Sequence, residues 1–600
     1  MTSIKDFMFG DHILPENRLA RHRDLRIGVH HQAHVVPPKP SSDEAITLHV
    51  TTSGEDSYAE VLCFYRTGDH DPAHGDSQRL SLHHTQTIWD EVDWHYIHHW
   101  EGVLPPQNHD MIIRYQIAAR LRNSKDWIYA DNQAAAAIDG THFAVWVDDS
   151  EQPAWVRDAL IYHIFIDRFY PGDGADWQQP DDLSGIFGGT LRGVIQKLDY
   201  IQSLGFNTIW LSPFFSSPSH HGYNATDLYT VEPRLGTNQD LYELIDKIHA
   251  RGMHIILDFV ANHWSNFHPT FLEAQKDAQS EYYDWYHWIS WPDEYQGFFD
   301  TKSLPQLNLT LGSPARQMLL DAAQYWLEKG FDGYRLDYAY GPPLDFWTDF
   351  RRACRNTNPN SWLFGEVIHA ASFQRNYEGV FDGMIDFLLA DALRQTFGYQ
   401  TWDIARFDAF LLGHEHYFQG CFERLTILDN HDMNRFLFIA DDDPARLKIA
   451  ALVLYTLAGI PINYCGTETG VTQERPIHVD GRGYFEEARL PINWNLDDDH
   501  DLLAYFQGLV NLRKKYPWLK NGSRQTLHLD VDAGTYAYLR SGAGQQILIA
   551  INLSHLPQKI TIPWHAPVDL HDHLSGNVVT LKFDSLIVEL EPKSGSFLTR

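Results

Sequence analysis

Hydrophobic positions change their rhythm twice along this chain. Up to about residue 150 they come in short runs. Ile46 to Ser53, Ala59 to Arg66 and Met111 to Leu121 are β-branched or aromatic stretches broken by Gly, Pro, Asp and Asn, with no helix-period segment of useful length among them. That pattern predicts a β-sandwich module over residues 1–150. From Trp155 strands and helices alternate. The apolar run ALIYHIFIDRF leads to an amphipathic helix, LRGVIQKLDYIQSLG, ended by Gly205. FNTIWLS, NQDLYELIDKIHARG and MHIILDFV then read as strand, helix and strand. The alternation resumes after an irregular stretch, placing strands near residues 160, 208, 254, 333, 362, 383, 424 and 462. Eight strands interleaved with helices predict an α/β fold, a (β/α)8 TIM barrel over residues 151–521. After a helix from Asp501 to Tyr516, strands return and predict a C-terminal β domain over residues 522–600.

Composition narrows the partners. Lys and Arg number 47 against 79 Asp and Glu, a formal charge of −32, so neither nucleic acid nor an anionic membrane is an expected partner. No run of about 18 apolar residues predicts a membrane span. The N-terminus lacks the apolar core of a signal peptide, and the four cysteines are scattered without CxxC spacing. A reducing, cytoplasmic setting is the expectation. Adjacent His pairs (His30-His31, His83-His84, His98-His99) alternate faces on a strand and do not converge on one ion. The 19 Trp, 29 Tyr and 33 Phe suit a carbohydrate, whose rings stack on flat aromatic faces, but a large aromatic core explains them as well.

In a barrel of this kind active groups sit at the C-terminal strand ends. Strand three ends in Asp258-Phe259-Val260-Ala261-Asn262-His263, strand four in Gly333-Tyr334-Arg335-Leu336-Asp337, strand five in Gly365-Glu366, and strand seven in Asp429-Asn430-His431-Asp432. Arg335 and Asp337 are two apart and share a strand face, so the guanidinium would hold that carboxylate ionised, as a nucleophile requires. Glu366 follows an apolar strand, where desolvation raises a carboxyl toward general-acid range. One acid at a strand end is more often a cap than a catalyst; three in order on the right strands are not.

DFVANH, GYRLD, FGEV and LDNHD resemble the four core motifs of the α-amylase family, glycoside hydrolase family 13. The resemblance covers roughly residues 155–600. It implies Asp337 as nucleophile, Glu366 as general acid/base and Asp432 as transition-state stabiliser, with Arg335, His263 and His431 lining the subsite of the attacked sugar. Tyr223, in HGYNATDLY, matches the tyrosine that stacks on that sugar, and Asp227 belongs to the same loop. HPTFLEA with YYDWYHW resembles the small domain inserted after strand three in this family, implying an inserted domain at about 264–310. The N-terminal module and LPQLN (Leu304 to Asn308) look like the neopullulanase, cyclomaltodextrinase and maltogenic amylase group. That resemblance implies α-glucan oligosaccharides as substrates and a homodimer through the N-terminal module.

Two departures bear on chemistry. Ile368 stands where the group carries Trp, so the leaving-group side is expected to lack an aromatic platform and to favour short maltooligosaccharides over polymers. The group's calcium loop corresponds to Arg168 to Trp177 and its GGD partner to Gly188-Gly189-Thr190; Pro171 and Thr190 replace oxygen ligands, leaving Asp173, Asp176 and Asn262. The expectation is that no cofactor is required and no metal residue is assigned, with calcium left open. The leading reading is a retaining α-glucan glycosidase. Its alternatives are a transglycosylase on the same site, since acceptor choice is not encoded in the catalytic residues, and a non-catalytic carbohydrate-binding relative.

Overall fold

The computed structural model describes residues 6, 15–73, 76–480, 482–494, 500–564, 569–579, 581–582 and 585–600. Its first element, helix α1 (Pro15–Asp24), is one that the hydrophobic pattern does not predict. The segment PENRLARHRD has almost no apolar residues and thus no apolar stripe; polar contacts hold it, His22 Nε2 to Asp90 Oδ2 at 2.9 Å and Arg26 Nε to the same oxygen at 2.8 Å. Two antiparallel sheets follow and share the long strand Gln78–Asp90, whose first part pairs with Tyr58–Thr67 and whose second pairs with His95–Leu104. Ile46, Leu48 and Val50 from one sheet pack on Val61, Ile113 and Ile117 from the other, as a sandwich requires.

The barrel comes next. Strands β1 (Ile161–Ile164), β2 (Thr208–Leu211), β3 (His254–Val260), β4 (Gly333–Asp337), β5 (Trp362–Gly365), β6 (Gly383–Ile385), β7 (Glu423–Thr426) and β8 (Ile460–Tyr464) pair in chain order, parallel, and β8 closes on β1. The strands are buried almost end to end, which is why they read as continuous apolar runs rather than alternations. Gly333 is required at its position: φ is +156°, and a Cβ there would meet the Trp362 carbonyl oxygen at 1.9 Å. Helix α2 (Asn238–His249) shows how local chemistry sets an element. Thr237 and Asp240 form a reciprocal capping box, and Leu241, Leu244, Ile245 and Ile248 make the buried stripe. The predicted helix after β1 breaks in two at Lys197 (φ −101°, ψ 5°), while its stop at left-handed Gly205 is as read.

Between β3 and helix α3 (Pro314–Glu328) lies the inserted region, a helix (Pro269–Lys276) and a short hairpin (Trp288–Ser290 with Glu294–Tyr295). Helix α4 (Leu344–Thr357) follows β4 and packs on α3. Beyond helix His500–Lys515, a six-stranded and a three-stranded antiparallel sheet enclose a core that includes Leu548, Ile562 and Val588. No helix among the described residues is long and apolar enough to cross a membrane.

Candidate active site

Register explains why the chemistry gathers at one end. Val260 pairs with Asp337 and Asp258 with Arg335, and Leu336 pairs with Gly365, so the β3, β4 and β5 ends stand level. The Arg335 guanidinium is fully buried; its Nη1 donates to Asp258 Oδ1 and to Asp337 Oδ1, both at 2.7 Å. Its Nη2 forms an ion pair with Glu366 Oε1 at 2.5 Å. Glu366 Oε2 accepts the Tyr338 backbone N–H at 3.1 Å, which orients the carboxyl.

Asp432, at the end of the segment after β7, is held differently. His431 Nε2 lies 3.0 Å from its Oδ2, and Arg489 Nη2 donates to its Oδ1 at 2.8 Å. Burial works against this carboxylate, but His431 and Arg489 outweigh it and keep its pKa below the usual range. Asp337 and Glu366 go the other way. Burial is the main cause in both, Arg335 opposes it, and the neighbouring carboxylates add to it, so both pKa values are raised. The expectation that Arg335 keeps Asp337 ionised is therefore corrected: that guanidinium is shared among three carboxyls. Asp337 and Glu366 titrate as a pair that retains a proton above the ordinary carboxylate range.

A cavity of about 200 Å³ opens here, and Tyr223, His263, Asp337, Glu366 and Asp432 line it. Arg335 and His431 do not; both are fully buried beneath it and touch it through their partners. Tyr223 lies parallel to the His431 ring at 5.2 Å, its hydroxyl donates to Asp258 Oδ2 at 2.9 Å, and His431 Nε2 is 2.7 Å from it. Burial pushes His263 down to about 3, so its imidazole is neutral. Asp227 lies outside the cavity and accepts the Tyr229 backbone N–H at 2.8 Å.

Four residues on the wall escape a motif-based reading. Arg489 ends a single 3-10 turn (Phe485–Arg489) after β8, and besides Asp432 it donates to the His431 carbonyl at 2.9 Å and to Glu486 at 2.9 Å. Tyr338 and Tyr340 follow Asp337, and Phe298 comes from the inserted region; all three rings line the cavity beside Ile368. Aromatic residues one and three places after Asp337 were the signal available in the sequence. Tyr338 takes φ +42°, an uncommon left-handed conformation for an aromatic residue, next to the reacting carboxyl.

The residues of the degraded cation loop satisfy one another. Thr190 Oγ1 donates to the Pro171 carbonyl at 2.7 Å and caps the next helix by accepting Gly193 N–H, and Asp173 accepts from Gln196 Nε2 at 2.6 Å. With Thr190 and the Pro171 carbonyl bonded to each other and Asp173 engaged by Gln196, these groups do not present the six or more free oxygens that a hard cation takes. Elsewhere among the described residues, His22, Asp90 and Asp93 have metal-ligand spacing, but Arg26 and Arg23 already bind those carboxylates.

The α-amylase catalytic-domain family matches residues 163–489, from β1 to Arg489. The chain belongs to the α-amylase family. It is 36% identical over 456 residues to alpha-amylase 2 of Dictyoglomus thermophilum, covering 76% of this chain and 78% of that one. It is 34% identical over 427 residues to a cyclomaltodextrinase of a Bacillus species, covering 68% and 74%. A solved cyclomaltodextrinase superposes over 95% of this chain and 99% of its own, with a TM-score of 0.69 and 25% identity. The N-terminal and C-terminal β domains therefore belong to the shared architecture, and this family member is a glycosidase of α-glucans.

Proposed function

We propose that the enzyme cleaves α-glucosidic bonds in maltooligosaccharides and cyclodextrins with net retention. Asp337 attacks the anomeric carbon while Glu366 protonates the departing glycosidic oxygen; Asp432 stabilises the cationic sugar between them. Glu366 then takes a proton from water, the water oxygen bonds to the anomeric carbon, and the Asp337 ester is released. The observation that carries this reading is Arg335 in contact with both Asp337 and Glu366. One guanidinium bridging the two carboxyls gathers them at one site, an arrangement that supports direct attack by Asp337 as in retaining glycosidases. Asp337→Asn is expected to lower kcat about 10⁴-fold or more in a folded protein. The first-formed anomer, followed by NMR, is expected to be α; a β product rejects the assignment.

Arg489, which holds Asp432 and Glu486, lines one part of the cavity, and Tyr338, Tyr340 and Ile368 line it with Glu366. A cavity of about 200 Å³ supports short or compact substrates. The reading includes no metal: extended chelation should move neither activity nor melting midpoint, and a midpoint that fell and recovered with calcium would overturn it. A cytoplasmic setting is supported by four free cysteines and by the relative called intracellular maltogenic amylase from Bacillus subtilis; cell fractionation tests it. A homodimer through the N-terminal module is supported by an exposed apolar patch of Ile88, Trp89, Val92, Trp94 and Tyr96, with Trp94 76% exposed. Sedimentation of Trp94→Ser should show monomer where the native chain shows dimer.

A further inference from the structure

The buried cation Arg394 has no part in the reaction, yet it grips the segment that carries Asp432. It follows helix α5 (Phe387–Leu393), beyond β6, and is fully buried. Its Nη1 donates to the Leu428 carbonyl at 2.7 Å and its Nη2 to the Asn434 carbonyl at 2.8 Å. Those two carbonyls bracket Asp429, Asn430, His431 and Asp432, so one planar group fixes both ends of that stretch.

A buried guanidinium needs a counter-charge. The nearby carboxylate of Asp429 is already committed, accepting Phe436 N–H at 2.8 Å and the Thr467 hydroxyl at 2.8 Å. The charge comes instead from Asp6, far outside the barrel in sequence. Asp6 is 3% exposed and receives Arg394 in a two-pronged contact, Nη2 to Oδ1 at 2.5 Å and Nε to Oδ2. Tyr399 OH donates to Asp6 Oδ1 at 2.9 Å and Asn434 Nδ2 at 3.0 Å, and Asn434 N–H reaches the Asp6 carbonyl at 3.3 Å.

We propose that Asp6 is a positioning residue for Asp432, acting through Arg394 and Asn434 on the segment after β7. The proposal rests on the reading of Asp432 as the group that stabilises the transition state. Arg489 holds the Asp432 carboxylate independently of Asp6, so without Asp6 that side-chain contact remains while the backbone of the segment loosens. Small misplacements of a group that acts in the transition state lower kcat more than they raise KM.

The test uses the full chain, with kinetics on maltotriose taken well below each variant's melting midpoint. Asp6→Ala and Asp6→Asn are expected to lower kcat about tenfold or more with KM within about threefold. Affinity for a nitrogen-containing transition-state mimic should fall by the same factor as kcat/KM, a readout that a merely stabilising contact would leave alone. Asp6→Glu should recover part of the loss. Should Asp6→Ala not fold, Tyr399→Phe removes a single donor to Asp6 and should give a smaller loss of the same kind. A kcat within twofold of native in the folded variants, or a loss of kcat without loss of mimic affinity, overturns the proposal. Asp432→Asn separates the two levels: if it is inactive while Asp6→Ala is native-like, only the positioning role fails, whereas an active Asp432→Asn removes the functional reading itself.

Discussion

Arg335 sets the titration behaviour of the whole site, because Asp258, Asp337 and Glu366 all lie within 2.7 Å of its guanidinium nitrogens. A cation divided in this way cannot offset the burial of each carboxyl, and Asp337 and Glu366 are both raised. A raised carboxyl stays protonated to higher pH, so the rate should rise as the pair loses its first proton and fall as it loses its second. Both limbs of the kcat/KM profile are expected above the ordinary carboxylate value of about 4. A rising limb at that ordinary value would show that Arg335 does keep Asp337 ionised. Glu366→Gln should remove the falling limb and lower the rate on maltotriose roughly 10²–10⁴-fold, with a smaller loss on an aryl glucoside whose leaving group needs no proton. Equal losses on both substrates would count against the acid role. Asp337, Glu366 and Asp432 were legible because barrel geometry gathers strand-end acids, and Arg335 because strand period puts it on the face of Asp337; Tyr223, His263 and His431 were legible only through the resemblance to the family's motifs. Arg489 and Asp6 were not: neither lies on a barrel strand end or in a motif, and nothing in the sequence ties either one to the segment after β7.

Elements, rather than single motif residues, decide what lies beyond the cleaved bond. The sequence put the weight on β5, where Ile368 replaces an aromatic residue. The structure brings flat rings to the same wall from the β4 loop and the inserted region: Tyr338 and Tyr340 have ring centroids 4.3 Å apart, and Phe298 lies 4.6 Å from Tyr338. These contacts join segments whose separation in sequence hides their proximity. If stacking on Tyr340 contributes about 1 kcal/mol, Tyr340→Ala should lower kcat/KM for maltotriose about fivefold and reduce transfer to added sugars. Ile368→Ala should do less. The reverse order, with Tyr340→Ala native-like and Ile368→Ala impaired, would return specificity to the strand-five position. Helix α1 teaches the same limit from the other direction: it has no apolar stripe to read, yet Arg21 at its end reaches His369 Nε2, 2.7 Å away and just past Ile368.

At the scale of the molecule, the N-terminal module is joined to the barrel by buried charge rather than by a loose linker. Arg114 from the sandwich donates to Asp349 on α4 at 2.6 Å, and the same carboxylate receives Arg316 from α3 at 2.5 Å. Asp148, at the end of the module, pairs with Arg351 of α4 at 2.8 Å, and Arg351 continues to Asp382 at the start of β6. The two helices that receive these contacts flank β4, the strand carrying Arg335 and Asp337. Buried pairs of this kind add little when intact, since desolvation offsets their attraction, but breaking one leaves an uncompensated charge at a cost of about 3–5 kcal/mol. Arg114 and Arg316 keep second partners in Asp69 and Asp345, which places Asp349→Asn at about the lower end of that range. The expected result is a thermal midpoint lowered by a few degrees with kcat at 25 °C within about twofold of native. The carboxylate stabilises the junction and does not touch the cavity. Were the module a tethered appendage, the sandwich would melt separately and Asp349→Asn would leave the barrel's transition where it was. A calorimetric scan of the native chain and this variant distinguishes the two, and an unmoved barrel transition would show that the junction bears no share of barrel stability.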